Sequence, residues 1–232
     1  MSDAAGAADS CALPPQDRFA VELRGFGPLG ILAVLVIAAG QIVAPLGAVL
    51  VLVWAMLSRT PWREIGYVRP ESWTGSLVAG IVFGVTFKFL MKAIVMPLFG
   101  ANPTNQAYHY LAGNPTALPA VMLTMIFVAG FGEETVFRGY MFERLGKLLG
   151  RSRAARIITV FASAALFGSL HYFDQGPAGA QQAIITGLAF GTVFAVTGRI
   201  WMLMCAHAAF DLTAVAIIYL NLESTVAHLV FK

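Results

Sequence analysis

Charged side chains are scarce in this 232-residue chain, where Asp, Glu, Lys and Arg together make up only 12% of the residues. An average soluble domain has about 25%. Hydrophobic residues account for 58% of the sequence, and the mean hydropathy is +0.75. The uncharged runs reach or exceed the roughly 20 residues with which a helix crosses a bilayer. This composition excludes an ordinary soluble domain and indicates an all-α, polytopic transmembrane helical bundle.

Cysteine is also rare. The two cysteines lie far apart, Cys11 in a polar N-terminal stretch and Cys205 in an apolar run. A small disulfide-stabilised scaffold would need several cysteine pairs. The sequence therefore predicts no disulfide framework.

Turn residues and charges divide the chain into segments. We expect a flexible polar tail at residues 1–26, two N-terminal spans with connecting loops at 27–116, a four-helix core at 117–220, and a short C-terminal tail at 221–232. About six spans are predicted, at residues 28–57, 74–99, 117–142, 156–173, 180–197 and 200–220. The first contains Gly40, Pro45 and Gly47, and is interpreted as one tilted or kinked helix because two crossings would have only about 14 residues each. Short links at Gly176 and Gly198 make the neighbouring helices antiparallel.

Basic residues are concentrated on one side of this arrangement. The loops after spans one, three and five contain nine: Arg59, Arg63, Arg69, Arg144, Lys147, Arg151, Arg153, Arg156 and Arg199. The opposite side has three, Arg18, Arg24 and Lys232. The positive-inside rule therefore places those loops in the cytoplasm of a cell with this protein in its plasma or inner membrane. With six spans both termini are expected on the outer side, and a hidden break in the first span would change only the N-terminus.

Three charged residues interrupt the third span. A charged group at mid-bilayer costs roughly 2.5–3.5 kcal/mol on insertion scales, so such residues usually have a role. On a helix, Glu134 and Arg138 share a face with the acid first, the favourable order for an ion pair. Glu133 lies about 100° further round the helix. We therefore expect a structural pair of Glu134 with Arg138, and a working carboxylate at Glu133.

Ionisable residues recur in the following spans. Phe167 and His171 are four residues apart in span four, and His207 and Asp211 have the same spacing in span six, so each pair shares a helix face. Short loops hold these spans beside the third. Histidines and carboxylates from three neighbouring helices favour a common site over isolated packing residues.

With these residues the chain resembles the CPBP family of intramembrane proteases, which includes type II CAAX prenyl endopeptidases and bacteriocin-processing or immunity proteins. That family has Glu-Glu-x-x-x-Arg, Phe-x-x-x-His and His-x-x-x-Asn/Asp motifs on successive helices. This chain matches them at residues 133–138, 167–171 and 207–211. The resemblance covers about residues 117–220, which would be the catalytic core.

The resemblance implies hydrolysis of a peptide bond within the membrane, near the C-terminus of a membrane-associated protein or peptide. Glu133 is the expected general base that takes a proton from water. His171 would hold this water or bind a metal. His207 would stabilise the oxyanion of the tetrahedral intermediate.

The remaining motif residues are expected to support these groups. Glu134 and Arg138 would fix the helix that carries the base. Asp211 stands where the family often has asparagine, so it would be protonated, orient His207 through a hydrogen bond across one helical turn, or ligate a metal. We favour the orientation of His207.

The resemblance allows a divalent metal such as zinc as a cofactor but does not require one. Glu133, His171 and His207 form a zinc-like ligand set. The chain lacks the His-Glu-x-x-His pattern that places two ligands on one helix. The family is interpreted either as a metalloprotease or as a metal-free, glutamate-dependent protease.

Two other functions would use the same residues. A transporter could relay protons or cations through them, and a non-catalytic immunity or scaffold protein could use them to join helices. Interhelical polar contacts return only roughly 0.6 kcal/mol each, less than the insertion penalty, which weakens the scaffold hypothesis. No inverted repeat with paired broken helices indicates a transporter. The sequence favours the protease, with the lipid bilayer and a membrane-associated substrate as partners, no nucleic acid, and no assigned oligomeric state.

Overall fold

The computed structural model describes residues 15–43 and 45–231, and every regular element in these ranges is helical. The helices are α1 (Pro15–Arg24), α2 (Pro28–Ala39), α3 (Leu46–Leu57), α4 (Trp73–Leu98), α5 (Leu118–Leu149), α6 (Arg153–Thr197), α7 (Trp201–Tyr219) and α8 (Glu223–Ala227). Short 3₁₀ turns lie at Gly40–Ile42, Trp62–Ile65 and His109–Leu111. The predicted all-α fold is confirmed.

Within the described ranges, four helices, α4 to α7, are long and apolar enough to cross a membrane. The number is up to five if α1 and α2, which meet at a bend of 59°, count as one broken span. Helix α6 has 45 residues and reverses at Gly176, whose φ of 66° is not helical. A side chain at Gly187 would collide with Ala164, and one at Gly168 with Ile184. The two limbs of α6 therefore pack antiparallel, as predicted for spans four and five.

The predicted first span is a hairpin and not one crossing helix. Helices α2 and α3 have 12 residues each, or about 18 Å at 1.5 Å per residue, against a hydrocarbon core of about 30 Å. The end of α2 packs against the start of α3, because a side chain at Gly40 would meet the Gly47 backbone. At the other end, Trp54 Nε1 of α3 donates to the Leu23 carbonyl oxygen at 3.1 Å. The prediction of a single kinked helix was wrong because these small residues mark a reversal of the chain.

This hairpin places α1 at the end of the bundle that carries the basic loops. Arg24 pairs with Glu64, and Arg144 Nη2 of α5 donates to the Arg24 carbonyl oxygen at 2.9 Å. The described N-terminal helix therefore lies on the side opposite to the one expected for a six-span chain. Part of the predicted tail, Pro15–Arg24, is helix α1. Residues 1–14, which include Cys11, lie outside the described residues.

Helix α7 lies between α4 and α5 in close contact with both. A side chain at Gly84 of α4 would come within 2.1 Å of the Ala206 carbonyl oxygen, and one at Gly130 of α5 would meet Ala208. Small residues allow transmembrane backbones to approach this closely. The contacts fix the depth and rotation of α7, which carries His207 and Asp211.

Candidate active site

The acidic motif lies in an unusually wide part of α5. Residues Met125–Glu133 and Thr135–Tyr140 have π-helical hydrogen bonding, on both sides of Glu134. Such segments recur at functional sites. The fully buried Thr135 donates from Oγ1 to the Phe131 carbonyl oxygen at 2.7 Å, so this hydroxyl accepts from Tyr67 Oη, also at 2.7 Å. The loop after α3 thereby holds α5 in place directly behind the motif.

The predicted pair of Glu134 and Arg138 is present in the buried interior. Arg138 Nη1 lies 2.9 Å from Glu134 Oε1, and the two side chains are 1% and 0% exposed. The guanidinium carbon lies 5.0 Å from the ring centroid of Phe167 and 5.6 Å from that of Phe190. Among the described residues no acceptor forms a hydrogen bond of good geometry with the guanidinium. Charge attraction and two cation–π contacts therefore stabilise this cation.

Glu134 also contacts His207, and the sequence did not predict this contact. His207 Nδ1 lies 2.7 Å from Glu134 Oε1. Because a carboxylate accepts, Nδ1–H is the donor, and this bond fixes the orientation of the ring. Edge-on packing against Phe190, at 5.5 Å between centroids, supports the same orientation. Glu134 thus joins Arg138 of its own helix to the histidine of α7.

Two further carboxylates face the other ring nitrogen. His207 Nε2 lies 3.7 Å from Glu133 Oε2 and 3.6 Å from Asp211 Oδ2. Both distances exceed the length of an N–H···O hydrogen bond. The expectation that Asp211 orients His207 by a hydrogen bond was wrong, since Glu134 forms that bond. Nothing in the sequence indicates that Glu134, and not Asp211, orients His207, because this contact depends on how the helices are rotated against each other.

His171 is held by its own helix. Its Nδ1 lies 2.8 Å from the Phe167 carbonyl oxygen. A carbonyl oxygen only accepts, so Nδ1 carries the proton and Nε2 of the neutral ring presents a lone pair. The Phe167 ring packs on the imidazole at 4.4 Å between centroids. Phe167 therefore positions His171 through both its backbone and its side chain.

The predicted reactive side chains share one cavity of about 320 Å³. Glu133, His171, His207 and Asp211 line it from α5, the first limb of α6 and α7. Glu134 and Arg138 lie behind this wall. The α2–α3 turn and Lys88 of α4 also line the cavity.

The lining of this cavity includes residues that the motifs did not indicate. Tyr108, Gln182 and Lys88 lie on it. For Lys88 the available sequence signal is a cation within the apolar run at residues 74–99. Tyr108 in a polar loop and Gln182 in a mostly apolar limb gave no comparable signal.

The predicted zinc-like set of Glu133, His171 and His207 remains a prediction. Among residues 15–43 and 45–231, no three His, Cys, Asp or Glu side chains converge with metal-binding geometry. The bond from His207 Nδ1 to Glu134 leaves Nε2 as the ring nitrogen that faces the other carboxylates.

Residues 115–213 match the family model described as type II CAAX prenyl endopeptidase Rce1-like. This match covers less than half of the chain and supports its resemblance to the CPBP family. No curated protein and no solved structure matches it. The match begins just before α5 and ends in α7, so it contains all three CPBP motifs. Together with the apolar helices, the match supports an integral membrane protein of the CAAX protease type.

Proposed function

We propose that this protein is an intramembrane endopeptidase of the CPBP type that cleaves membrane-associated proteins or peptides near their C-terminus, with Glu133 as general base. The contrast between two adjacent carboxylates carries the proposal. Glu134 is fully buried against Arg138 and His207, whereas the Glu133 side chain is 24% exposed and lines the cavity. A base that activates water needs such access to solvent and substrate together.

The first step is attack by water. Water placed between the Glu133 carboxylate and the lone pair of His171 Nε2 gives its proton to Glu133 as its oxygen bonds to the scissile carbonyl carbon. The carbonyl π bond opens, and the oxygen becomes an oxyanion. His171, with Nδ1 held by the Phe167 carbonyl, keeps its ring turned for this contact.

The second step is collapse of the tetrahedral intermediate. His207 in its doubly protonated form donates from Nε2 to the oxyanion while its Nδ1–H remains bonded to Glu134. The carbon–nitrogen bond then breaks, and the proton on Glu133 passes to the leaving amine. The products are a new carboxyl end on the substrate and a released C-terminal peptide, and Glu133 is again a carboxylate.

The test is a cleavage assay on the purified full-length chain, with a peptide that has a prenylated cysteine followed by three apolar residues. Glu133→Gln keeps the side-chain shape but cannot take a proton, so turnover should be lost while folded yield stays near wild type. Glu71→Gln is the matched control, because that side chain is 87% exposed and remote from the cavity. Substantial cleavage by Glu133→Gln would refute its role as base. Absence of cleavage by the wild-type chain on prenylated and unprenylated peptides alike would refute the proposed function.

A further inference from the structure

Lys88 is a buried cation in the wall of the active-site cavity. It lies on α4 and is only 5% exposed. Gly80, Gly84 and Lys88 follow each other at four-residue spacing, so Lys88 shares the helix face that packs against α7. Its Nζ lies 4.5 Å from the ring centroid of Phe210, the residue next to Asp211. The ammonium is therefore directed at the part of α7 that carries the catalytic side chains.

This ammonium has unused hydrogen-bonding capacity. It donates to Gln182 Oε1 at 3.1 Å. An ammonium has three N–H donors, and no other side-chain or backbone acceptor for Nζ is found among the described residues. Lys88 also lines a second cavity of about 180 Å³, which adjoins the first and shares Gln182 with it.

The charged groups that face Lys88 leave it without a partner of its own. They are Asp211 of α7, Lys92 of α4 and Glu223 of α8. Within the described part of the chain none of the carboxylates lies within ion-pair distance of Lys88. Glu223 pairs with Lys92 at 3.5 Å and also accepts the backbone N–H of Asn105 at 2.7 Å. A buried charge is normally paired, so this position is suited to an anion that arrives with a ligand.

We propose that Lys88, together with the amide of Gln182, binds the free C-terminal carboxylate of the substrate. This inference rests on the proposed function, because the peptide beyond the scissile bond must extend from Glu133 into the same cavity. The ammonium and the amide N–H groups both donate to a carboxylate, and the apolar surroundings strengthen these bonds. The enzyme then measures the distance from the scissile bond to the end of the chain and rejects substrates that continue beyond it.

The test compares two peptides that differ only at the C-terminus, one with a free carboxylate and one with a carboxamide. We expect the wild-type chain to favour the carboxylate by about 10- to 100-fold in kcat/KM, the range of a charge-assisted hydrogen bond. Lys88→Met should reduce kcat/KM for the carboxylate peptide to the value for the amide, mainly through KM. Lys88→Arg should keep part of the preference. Lys92→Met, which removes a cation already paired with Glu223, should keep the full preference.

Two results would overturn the inference. One is equal cleavage of both peptides by the wild-type chain, which needs no variant to fold. The other is an undiminished preference in a folded Lys88→Met chain.

A binding measurement separates this inference from the proposed function. Trileucine and trileucine amide are added to the full-length wild-type and Lys88→Met chains, and thermal stabilisation is recorded. If Lys88 binds a carboxylate, trileucine stabilises the wild type more than its amide does, and this difference disappears in Lys88→Met, whether or not any peptide is cleaved. Equal effects of the two ligands on the wild type would refute the carboxylate site even if cleavage is observed.

Discussion

The Nδ1 atom of His207 lies 2.7 Å from Oε1 of Glu134, two residues that belong to different motifs and different helices. The bond makes the second glutamate of the acidic motif a positioning residue for the histidine of α7. It also explains why this glutamate is fully buried while its neighbour Glu133 faces the cavity.

Replacing Glu134 or Asp211 by its amide tests which of the two carboxylates orients His207. Glu134→Gln removes the charge between His207 and Arg138, and we expect kcat to fall about 10- to 100-fold, the range for lost carboxylate partners of metal-ligating histidines. Folded yield should also fall, because Arg138 loses the anion of its buried pair. Asp211→Asn should retain most of the activity, since its oxygen lies 3.6 Å from Nε2 and forms no hydrogen bond. Both variants are measured by kcat and KM on the same peptide. Equal losses, or a larger loss in Asp211→Asn, would return the orienting role to Asp211.

Removal of Arg138 should reduce stability as well as activity. Arg138→Ala removes the cation beside the buried Glu134 carboxylate, which keeps the hydrogen bond from His207 Nδ1, and breaking a buried pair typically costs about 3–5 kcal/mol. Folded yield and melting temperature in detergent should therefore both fall. Arg199→Ala is the control, because its exposed pair with Glu71 should contribute little. A normal melting temperature for an inactive Arg138→Ala chain would place the role of Arg138 in catalysis and not in the scaffold.

The partly buried phenol of Tyr67 is expected to reduce the stability of the folded chain at alkaline pH. Burial raises the pKa of this phenol to about 12 from an ordinary 10.0, an effect that the hydrogen bond with Thr135 partly offsets. The pKa of Tyr67 is higher in the folded chain than in the unfolded chain. The contribution of Tyr67 to the free energy of unfolding is therefore complete below pH 10 and is lost as the pH rises towards 12. Melting temperatures measured between pH 9 and about pH 12 should fall less steeply for Tyr67→Phe than for the wild type. Parallel curves for the two chains would exclude Tyr67 as a cause.

Dependence on a metal is tested by removal of divalent ions. The mechanism assigns every proton and charge to side chains, so we expect cleavage to continue after prolonged treatment with a chelator and confirmed loss of zinc. The readout is kcat/KM together with the metal content of the purified chain. Loss of activity that zinc restores would support the alternative ligand set of Glu133, His171 and His207.

The sequence predicted most helices because their signals are local. Apolar runs bounded by turn residues marked α4, α5 and α7, and Gly176 marked the reversal within α6. The first apolar run was different, since residues 28–57 have no charge to show where the chain turns. Gly40 and Gly47 are present in the sequence, but small residues of this kind occur both at a kink in one helix and at a reversal between two helices. Only the tertiary contacts between the two short helices distinguish them.

The site could be predicted only in part for a similar reason. Four-residue spacing was sufficient to pair Glu134 with Arg138 on one helix face. The contact of Glu134 with His207 depends on the rotation of α7 against α5, which the close approach at Gly130 determines. The π-helical geometry of α5 changes that rotation further. Contacts between helices are therefore beyond the reach of a spacing argument.

The α2–α3 hairpin has an evolutionary consequence. It supplies part of the cavity wall together with α4, yet both precede residue 115, where the match to the family model begins. The three motifs and this part of the cavity wall therefore belong to separate stretches of the gene. Under the function proposed above, mutations before residue 115 would change which substrates fit the cavity and would leave the three motifs unchanged.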